Sequence, residues 1–568
     1  MSRQSKRKGP RQAAPSAAAR AIVQSESSDT LTTIVSALLL LITAALVTYV
    51  RLRLADVPLE RDEGEYAYAG QLILQGTPPY ELAYNMKFPG AYYAYAALMA
   101  VFGQTAWGIR AGLLCVHLAT MGLLFLTGRR LLGTFAGAAG ASAFALLALD
   151  RWSMGVFAHA THFVNFAVVA GVLALLHAVR TGRTWLFIAS GVLMGVAVIM
   201  KQHAAAFVML AMGLAAWHTW RDGATQRREI WRPFALVTIG AVFSLAALAA
   251  VLAAEGVLPR FWFWTVAYAA AYVSQVPWSA ADDTLVMALG YITQANGWLW
   301  YTALAGLALL FTSKWRAGTR VTLTGWLVAA ALAIVPGFFF RPHYFIVLMP
   351  VAGLLVGVAA AAADRALVRW IGTTGARLAA TGLFIALAAA YIVHDARYLF
   401  SMTHTELVRA VYGTNPFLES PEIGRYLHAH TGPDDRIVVL GSEPQLFFYA
   451  GRKSATGYVY TYPLMENQPY AARMQEEFRR EVETARPKYL VFVGMALSWG
   501  TSPQSNTGVL TWANEFTARC YELAGIADIN PAGDATIRWD ADARSYRPRF
   551  ASQVWTFSRK AGGACASG

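Results

Sequence analysis

The feature that most constrains this chain is a succession of apolar runs, each about twenty residues long. That is the helix length needed to cross roughly 30 Å of hydrocarbon. Such runs lie at 31–52, 109–128, 132–149, 162–179, 184–200, 203–219, 233–254, 291–312, 321–340, 343–363 and 378–396. In lipid every backbone polar group must be paired within its own segment, so runs of this kind fold as helices. Eleven of them predict an all-α polytopic membrane protein. Composition agrees: 56% of the 568 residues are hydrophobic, 14% are charged, and the mean hydropathy is +0.41. A soluble globular chain carries roughly 25% charged residues, so an ordinary soluble enzyme and a disordered chain are both excluded.

The formal charge of +14 comes from 47 Lys and Arg against 33 Asp and Glu. In a membrane protein this reads as basic residues flanking helices on the cytoplasmic side, and no nucleic-acid partner is expected. The distribution supports that reading. Alternate connections carry Arg129/Arg130, Arg180/Arg183, Arg221 to Arg232, Lys314/Arg316/Arg320 and Arg365/Arg369/Arg377, on the same side as the basic N-terminal tail. The apolar run 90–102 is short and carries Tyr92, Tyr93 and Tyr95. Counted as a span it would invert every later loop, so it is read as a helix lying in the interface.

Three regions follow: a disordered basic cytoplasmic tail at 1–30, a transmembrane domain at 31–396, and an extracytoplasmic domain at 397–568. The first outer loop, 53–108, belongs to the second region. The third is polar, with β-type runs at 436–440, 489–493 and 554–557 between helical stretches near 420–430 and 470–485. Strands alternating with helices predict a small α/β domain. Cys115, Cys520 and Cys565 match no zinc spacing. Cys520 and Cys565 face an oxidising compartment in this topology, which leaves a disulfide between them open.

Ionisable residues at apolar depth are costly and therefore functional candidates. Here the span interiors are almost free of charge, with His117 and His177 the main exceptions, read as packing. The chemistry gathers at the outer ends instead. The first outer loop holds Asp62, Glu63, Glu65 and Lys87, the second holds Asp150, His159 and His162, and short turns hold Lys201-Gln202-His203 and Arg341, His343 and Tyr344. The sharpest stretch is Arg61-Asp62-Glu63-Gly64-Glu65-Tyr66, three carboxylates in four positions just after a span. A carboxylate at such an interface can serve as a general base, and a lysine beside it can hold a phosphate. Solvated loop charges are the plain alternative for Asp150 and Arg341. The Trp-rich loop 255–290 either caps a site or forms an aromatic belt at the interface. Asp540-Ala-Asp542 is read as a loop rather than a metal site.

Asp62-Glu63, the tyrosines that follow and Lys87-Phe88-Pro89-Gly90 resemble the first outer loop of the dolichyl-phosphate-mannose protein mannosyltransferase superfamily. Its bacterial branch includes the aminoarabinose transferases that modify lipid A. The resemblance continues through Gly128-Arg-Arg-Leu-Leu-Gly133, Lys201-Gln202, Arg341-Pro-His-Tyr-Phe345, Leu348-Met-Pro350, Pro433-Asp-Asp-Arg436 and Gly441-Ser-Glu-Pro444, over roughly residues 31 to 460. It implies a GT-C fold in a bacterial inner (cytoplasmic) membrane with the N-terminus cytoplasmic. It also implies an inverting glycosyltransferase (EC 2.4 type) that uses a polyprenyl-phosphate-sugar donor on the outer face. By the resemblance Asp62 is the catalytic base with Glu63 beside it. Lys87 contacts the carrier phosphate, joined by Lys201, Arg341, His343 and Tyr344. Glu65, Tyr66, Tyr84, Asp150, His159 and His162 are candidates for the sugar or acceptor pocket.

The sequence departs from the family at two points. The family arginine that helps hold phosphate after the seventh span has no clear match in Phe261-Trp-Phe-Trp264, where Arg341 or Lys201 would have to supply the charge. In Phe157-Ala-His-Ala-Thr-His162 the position of a second family acid is taken by His162. No cofactor is implied, nor strictly a metal, because clustered cations can carry a metal's charge. The expected partners are membrane lipids, the lipid-linked donor and a glycan, lipid or protein acceptor. A transporter or flippase of lipid-linked saccharides is the alternative. It would place polar residues deep in the spans, where this chain has almost none.

Overall fold

The computed structural model describes residues 17–221, 227–561 and 565. Residues 1–16 of the expected tail lie outside the described residues, as do residues 222–226. Among the described residues, six helices are long and apolar enough to cross a membrane: Thr30–Arg53, Ala106–Leu132, Ala160–Thr181, Trp231–Ala254, Ala317–Ile334 and Pro342–His394. Four shorter apolar helices accompany them, at Gly90–Phe102, Thr134–Leu147, Thr184–Met200 and Gly297–Thr312. Large apolar side chains such as Leu41, Ile42 and Phe243 point outward from these helices, as a lipid-facing surface requires. The chain is a multi-pass, mostly helical membrane protein with a small C-terminal sheet.

In chain order the elements that matter below are α1 (Ala17–Arg53), α2 (Arg61–Leu74), α3 (Gly90–Phe102), α4 (Ala106–Leu132), α5 (Thr134–Leu147), α6 (Ala160–Thr181), α7 (Thr184–Met200), α8 (Ala205–Arg221) and α9 (Arg227–Ala254). Every apolar run of the sequence falls on helix for most of its length, with two differences. The run 321–340 stops being helical at Ile334. Pro336 lacks an N–H to donate, and Gly337 turns the chain at φ 80°. The last two runs belong to one long element, Met349–His394, broken at Gly372, whose φ of 70° and ψ of 174° are not helical.

Small residues let the helices touch backbone to backbone. A Cβ on Gly357 would lie 2.3 Å from the Ala136 carbonyl oxygen, and one on Gly353 2.5 Å from that of Gly140. Between α7 and α9, a Cβ on Gly191 would lie 2.0 Å from the Val237 oxygen.

The C-terminal part holds a five-stranded sheet in the order β1-β2-β5-β3-β4, with β1 Ile437–Leu440, β2 Tyr489–Gly494, β3 Tyr521–Asp528, β4 Thr536–Trp539 and β5 Gln553–Arg559. β1 and β2 run parallel, with Ile437 opposite Tyr489, joined by a crossover containing the helix Ala471–Ala485. The other pairings are antiparallel. Cys520 and Cys565 are bridged. Asp540 opens a short helix, Asp540–Ser545, and accepts a hydrogen bond from the Tyr426 hydroxyl.

This domain sits directly on α2. Tyr68 accepts the Ser454 N–H at 2.8 Å, and Arg61 pairs with Glu443 at 2.5 Å. Gly64 faces Gln445 so closely that a Cβ there would lie 2.5 Å from the Gln445 Cβ and 2.7 Å from its backbone nitrogen. Gly64→Ala is therefore expected to push the two surfaces apart, at a cost of about 1–3 kcal/mol. Thermal unfolding of the purified protein checks this, and an unchanged midpoint would show that the seat absorbs a methyl group.

Candidate functional site

The site starts from the first turn of α2. Glu60 caps the helix: its carboxylate accepts the Glu63 N–H at 2.8 Å, while Glu63 reaches back to the Glu60 N–H at 3.4 Å. Carboxylates in a first turn are favoured by the exposed N–H groups and the helix dipole. Residues three apart share a helix face and neighbours do not. Asp62 and Glu65 therefore point one way and Glu63 another.

Glu63 is fully buried and locked. Arg110 of α4 grips it with Nε at 3.1 Å and Nη2 at 2.5 Å, and the Ala158 N–H adds a bond at 2.7 Å. The remaining Arg110 N–H groups donate to backbone carbonyls between Leu54 and Pro58. Glu63, expected beside the base, thus faces away from it as a strut between α1, α2, α4 and the second loop.

Asp62 is one-quarter exposed. Lys87 bridges it at 2.8 Å to the buried Glu65 at 2.5 Å. Glu65 also accepts from the Tyr92 hydroxyl at 2.5 Å, and the ammonium lies 4.7 Å over the Tyr66 ring. The lysine's own backbone is held at both sides: Tyr80 donates to the Lys87 carbonyl at 2.7 Å, and Gln202 donates to that of Met86 at 2.5 Å. The C-terminal domain closes the arrangement, with the Tyr460 hydroxyl 3.1 Å from Asp62 Oδ1. Burial works to raise the Asp62 carboxyl, but Lys87, with His343 and His159 nearby, outweighs it and holds it well below the usual carboxylate range.

Two turns bring the other predicted residues to the same place. Lys201, at the end of α7, stands 3.7 Å over the Tyr344 ring. Burial lowers its ammonium to about 7, with Asp62 opposing the shift and Lys87 and Arg341 adding to it. Arg341 donates to the Tyr272 hydroxyl at 3.4 Å. His343 Nε2 lies 3.9 Å from Asp62 Oδ2, and its ring stacks on that of His159 at 4.4 Å. Burial pushes the His159 imidazole below its ordinary value, to about 4. Asp62, His159 and His343 each present one ligand atom within 4.8 Å of the others. They are the group of His, Cys, Asp and Glu among the described residues with spacing suited to a metal ion.

Three candidates lie elsewhere. Asp150 folds into its own loop and accepts the Ser153 N–H at 2.7 Å. His162 is one turn inside α6, edge-on to His117. Tyr84 stacks on Trp264 and donates to Glu481 at 3.0 Å. It lines a separate cavity of about 510 Å³ with Arg260, Arg436 and Arg480. The Trp-rich loop divides between its two readings. Trp264 and Tyr268 are buried against the C-terminal domain, while Trp262 and Trp278 remain exposed. Sequence reasoning missed Arg110 and Tyr460. Arg110 had left a signal, a lone arginine inside the apolar run 109–128. Tyr460 had left none.

The comparisons with known proteins bear on this arrangement. The sequence profile of the dolichyl-phosphate-mannose-protein mannosyltransferases matches residues 86–252, a stretch that includes Lys87, His159 and Lys201. Among solved structures, the chain is similar to ArnT from Cupriavidus metallidurans bound to undecaprenyl phosphate. Identity is 17% over 82% of this chain and 95% of that one, with a TM-score of 0.56. The chain has the fold of the GT-C glycosyltransferases. The apo state of that ArnT gives a TM-score of 0.55 over 92% of this chain and 97% of its own, at 17% identity. AglB, the oligosaccharyltransferase of Archaeoglobus fulgidus in complex with an inhibitory peptide and a dolichol-phosphate, is 13% identical. The likeness covers 90% of this chain and 75% of AglB, with a TM-score of 0.53. A sequence comparison with curated proteins gives no match.

The division of the carboxylates is testable. Glu63→Ala strands the Arg110 guanidinium in a buried site and is expected to cost about 3–5 kcal/mol. Glu65→Gln keeps an oxygen for Lys87 and is expected to cost much less. Thermal midpoints of the two variants check the order, and equal midpoints would contradict it.

Proposed function

We propose that this chain is an integral-membrane inverting glycosyltransferase. It moves a sugar from a polyprenyl-phosphate carrier to a hydroxyl or phosphate of a glycan, lipid or protein acceptor, on the outer face of a bacterial inner membrane. The observation that carries the proposal is one partly exposed carboxylate, Asp62, salt-bridged to Lys87 beside Lys201 and Arg341, at the ends of apolar helices. A base and the cations for a departing phosphate then stand where a lipid-anchored donor can reach them. The family profile over 86–252 and the GT-C fold support the same reading.

In this scheme the donor phosphate competes with Asp62 for Lys87. Each hydrogen bond that Lys87 transfers to phosphate frees negative charge on Asp62 and raises its affinity for a proton. Asp62 then takes the proton of an acceptor hydroxyl as that oxygen attacks the anomeric carbon. The bond from that carbon to the phosphate oxygen breaks with inversion, and the carrier leaves as polyprenyl phosphate. Lys87, Lys201 and Arg341 stabilise the charge that develops on it. The aromatic faces of Tyr66 and Tyr344 border the same space. The N-terminus is cytoplasmic in this topology, and 397–568 forms the extracytoplasmic domain whose Tyr460 overhangs the base.

Transfer of radiolabelled sugar from defined polyprenyl-phosphate donors tests the proposal. Wild type is expected to consume a donor, and Asp62→Asn is expected to lose about 10²–10⁴-fold in rate while still binding it. Failure of wild type to consume any donor across a broad panel would count against the function, and full activity of the variant against the base.

Lys201 supplies a pH signature. A phosphodiester binds its charged form better, so the free-enzyme value of about 7 sets the window. Donor affinity is full below pH 7 and falls as the pH rises through it, by up to about tenfold per unit. Lys201→Arg stays charged and should flatten that profile. Donor KM measured between pH 6 and about pH 9 decides it, and matching profiles would remove Lys201 from the phosphate site.

A further inference from the structure

A cavity apart from Asp62 lies at the seam between the first outer loop, the start of the aromatic loop and the C-terminal domain. It encloses about 510 Å³, within the range of about 300–1,000 Å³ that small-molecule sites occupy. The proposed transfer makes no use of it.

Its floor is fixed by contacts between the segments that meet there. The Tyr84 hydroxyl donates to Glu481 Oε1 at 3.0 Å, and the Tyr84 N–H donates to the Gly457 carbonyl at 2.6 Å. The ring lies so close to Gly457 that a Cβ there would fall 2.2 Å from Tyr84 Cζ, and Trp264 stacks on it at 5.4 Å. Glu481 Oε2 accepts from the Thr456 hydroxyl at 2.5 Å and from the Gly457 N–H at 3.1 Å. The Glu481 carboxylate is therefore spent on the floor, and the cavity keeps its shape without a ligand.

Three guanidinium groups line this cavity: Arg260 of the aromatic loop, Arg436 just before β1, and Arg480 of the helix Ala471–Ala485. Arg436 gives one bond to the Ser454 carbonyl at 3.0 Å, and Arg260 stands 6.0 Å over the Tyr84 ring. Among the described residues none of the three is ion-paired with a carboxylate. Like charges around one cavity repel each other, and an anion between them relieves that cost. Exposed Glu81 and Thr484 share the lining. A bare anion gains nothing from Glu81, whereas the hydroxyl groups of a sugar donate to it.

We propose that this cavity binds an anionic saccharide, a sugar unit that carries a phosphate or carboxylate group. The arginines take the anionic oxygens through charge-assisted hydrogen bonds, and Glu81 and Thr484 take the sugar hydroxyls. Tyr84 stands three residues before Lys87, and Gly457 three before Tyr460. At most about 11 Å of extended chain therefore separates the cavity floor from the residues around Asp62. A substrate reaching Asp62 with its reacting group can place a more distant unit here. That this unit belongs to the acceptor rests on the proposed glycosyl transfer; the binding itself does not.

Equilibrium dialysis of the full-length protein in a neutral detergent tests the site, with radiolabelled glucose 6-phosphate as the probe. Saturable binding is expected, displaced by glucuronate but at least about tenfold less well by glucose or by inorganic phosphate. Arg260→Gln and Arg480→Gln are each expected to weaken it by about tenfold or more. Thr484→Trp keeps every charge, fills the cavity and is expected to abolish binding. Circular dichroism follows the folding of all three variants. Absence of saturable binding in the wild-type protein, equal affinity for glucose or for inorganic phosphate, or binding that persists undiminished in the folded variants would each overturn the proposal. Donor consumption, measured separately, decides the transfer reading.

Discussion

The buried pair of Glu63 and Arg110 is the interaction on which the rest of the site depends. Taking two charges out of water is expensive, and such a pair persists only when every oxygen and N–H finds a partner. Here they do: the guanidinium is shared between both Glu63 oxygens and the carbonyls from Leu54 to Pro58, and the carboxylate also accepts from Glu60 and Ala158. A pair of this kind adds little net stability compared with packed hydrocarbon, but it admits one arrangement only. It sets the end of α1, the rotation of α2, the depth of α4 and the position of the loop that delivers His159. Arg51 adds to this by donating to the carbonyls of Ala148 and Gly155 in the same loop, at 3.0 and 2.9 Å.

With α2 rotated by that pair, helical spacing alone divides the three carboxylates. Glu63 goes to structure, while Asp62 and Glu65 go to Lys87. Glu65 is wholly buried and Asp62 is not, so one lysine bridges an anion sealed in protein and an anion open to solvent. The chemical contrast between two acids three residues apart comes from their surroundings. Glu65 is pushed up by burial, although Lys87 opposes the shift; at Asp62 the same lysine prevails over burial.

The C-terminal domain is part of this site rather than an appendage. Its residues Glu443, Gln445, Ser454 and Tyr460 contact α2 along its buried face, and Tyr460 touches the Asp62 carboxylate itself. The buried half of the aromatic loop, Trp264 and Tyr268, packs against the same domain, and Tyr272 meets Arg341. A substrate entering between membrane helices and this domain would therefore meet groups from both.

The sequence by itself determined what depends on neighbours along the chain. Apolar runs of membrane length, basic loops on one side, the acidic start of α2, the lysine that follows it and strands β1, β2 and β5 are all local patterns. Each is forced by lipid, by the helix dipole or by strand propensity. Strands β3 and β4 escaped because Tyr521–Asp528 interrupts its β-formers with Ala and Gly, and in Thr536–Trp539 an arginine breaks the apolar run. What only the tertiary structure decided is which charges meet. Glu63 finds its N–H partner 95 residues away at Ala158, and Asp62 finds Tyr460 398 residues away. The His159 and His343 rings come together only when α6 and the turn before Met349 pack side by side. A sequence displays three adjacent carboxylates as equals. Burial and the direction of each side chain from the helix make one a strut, one an anchor and one the group left partly exposed.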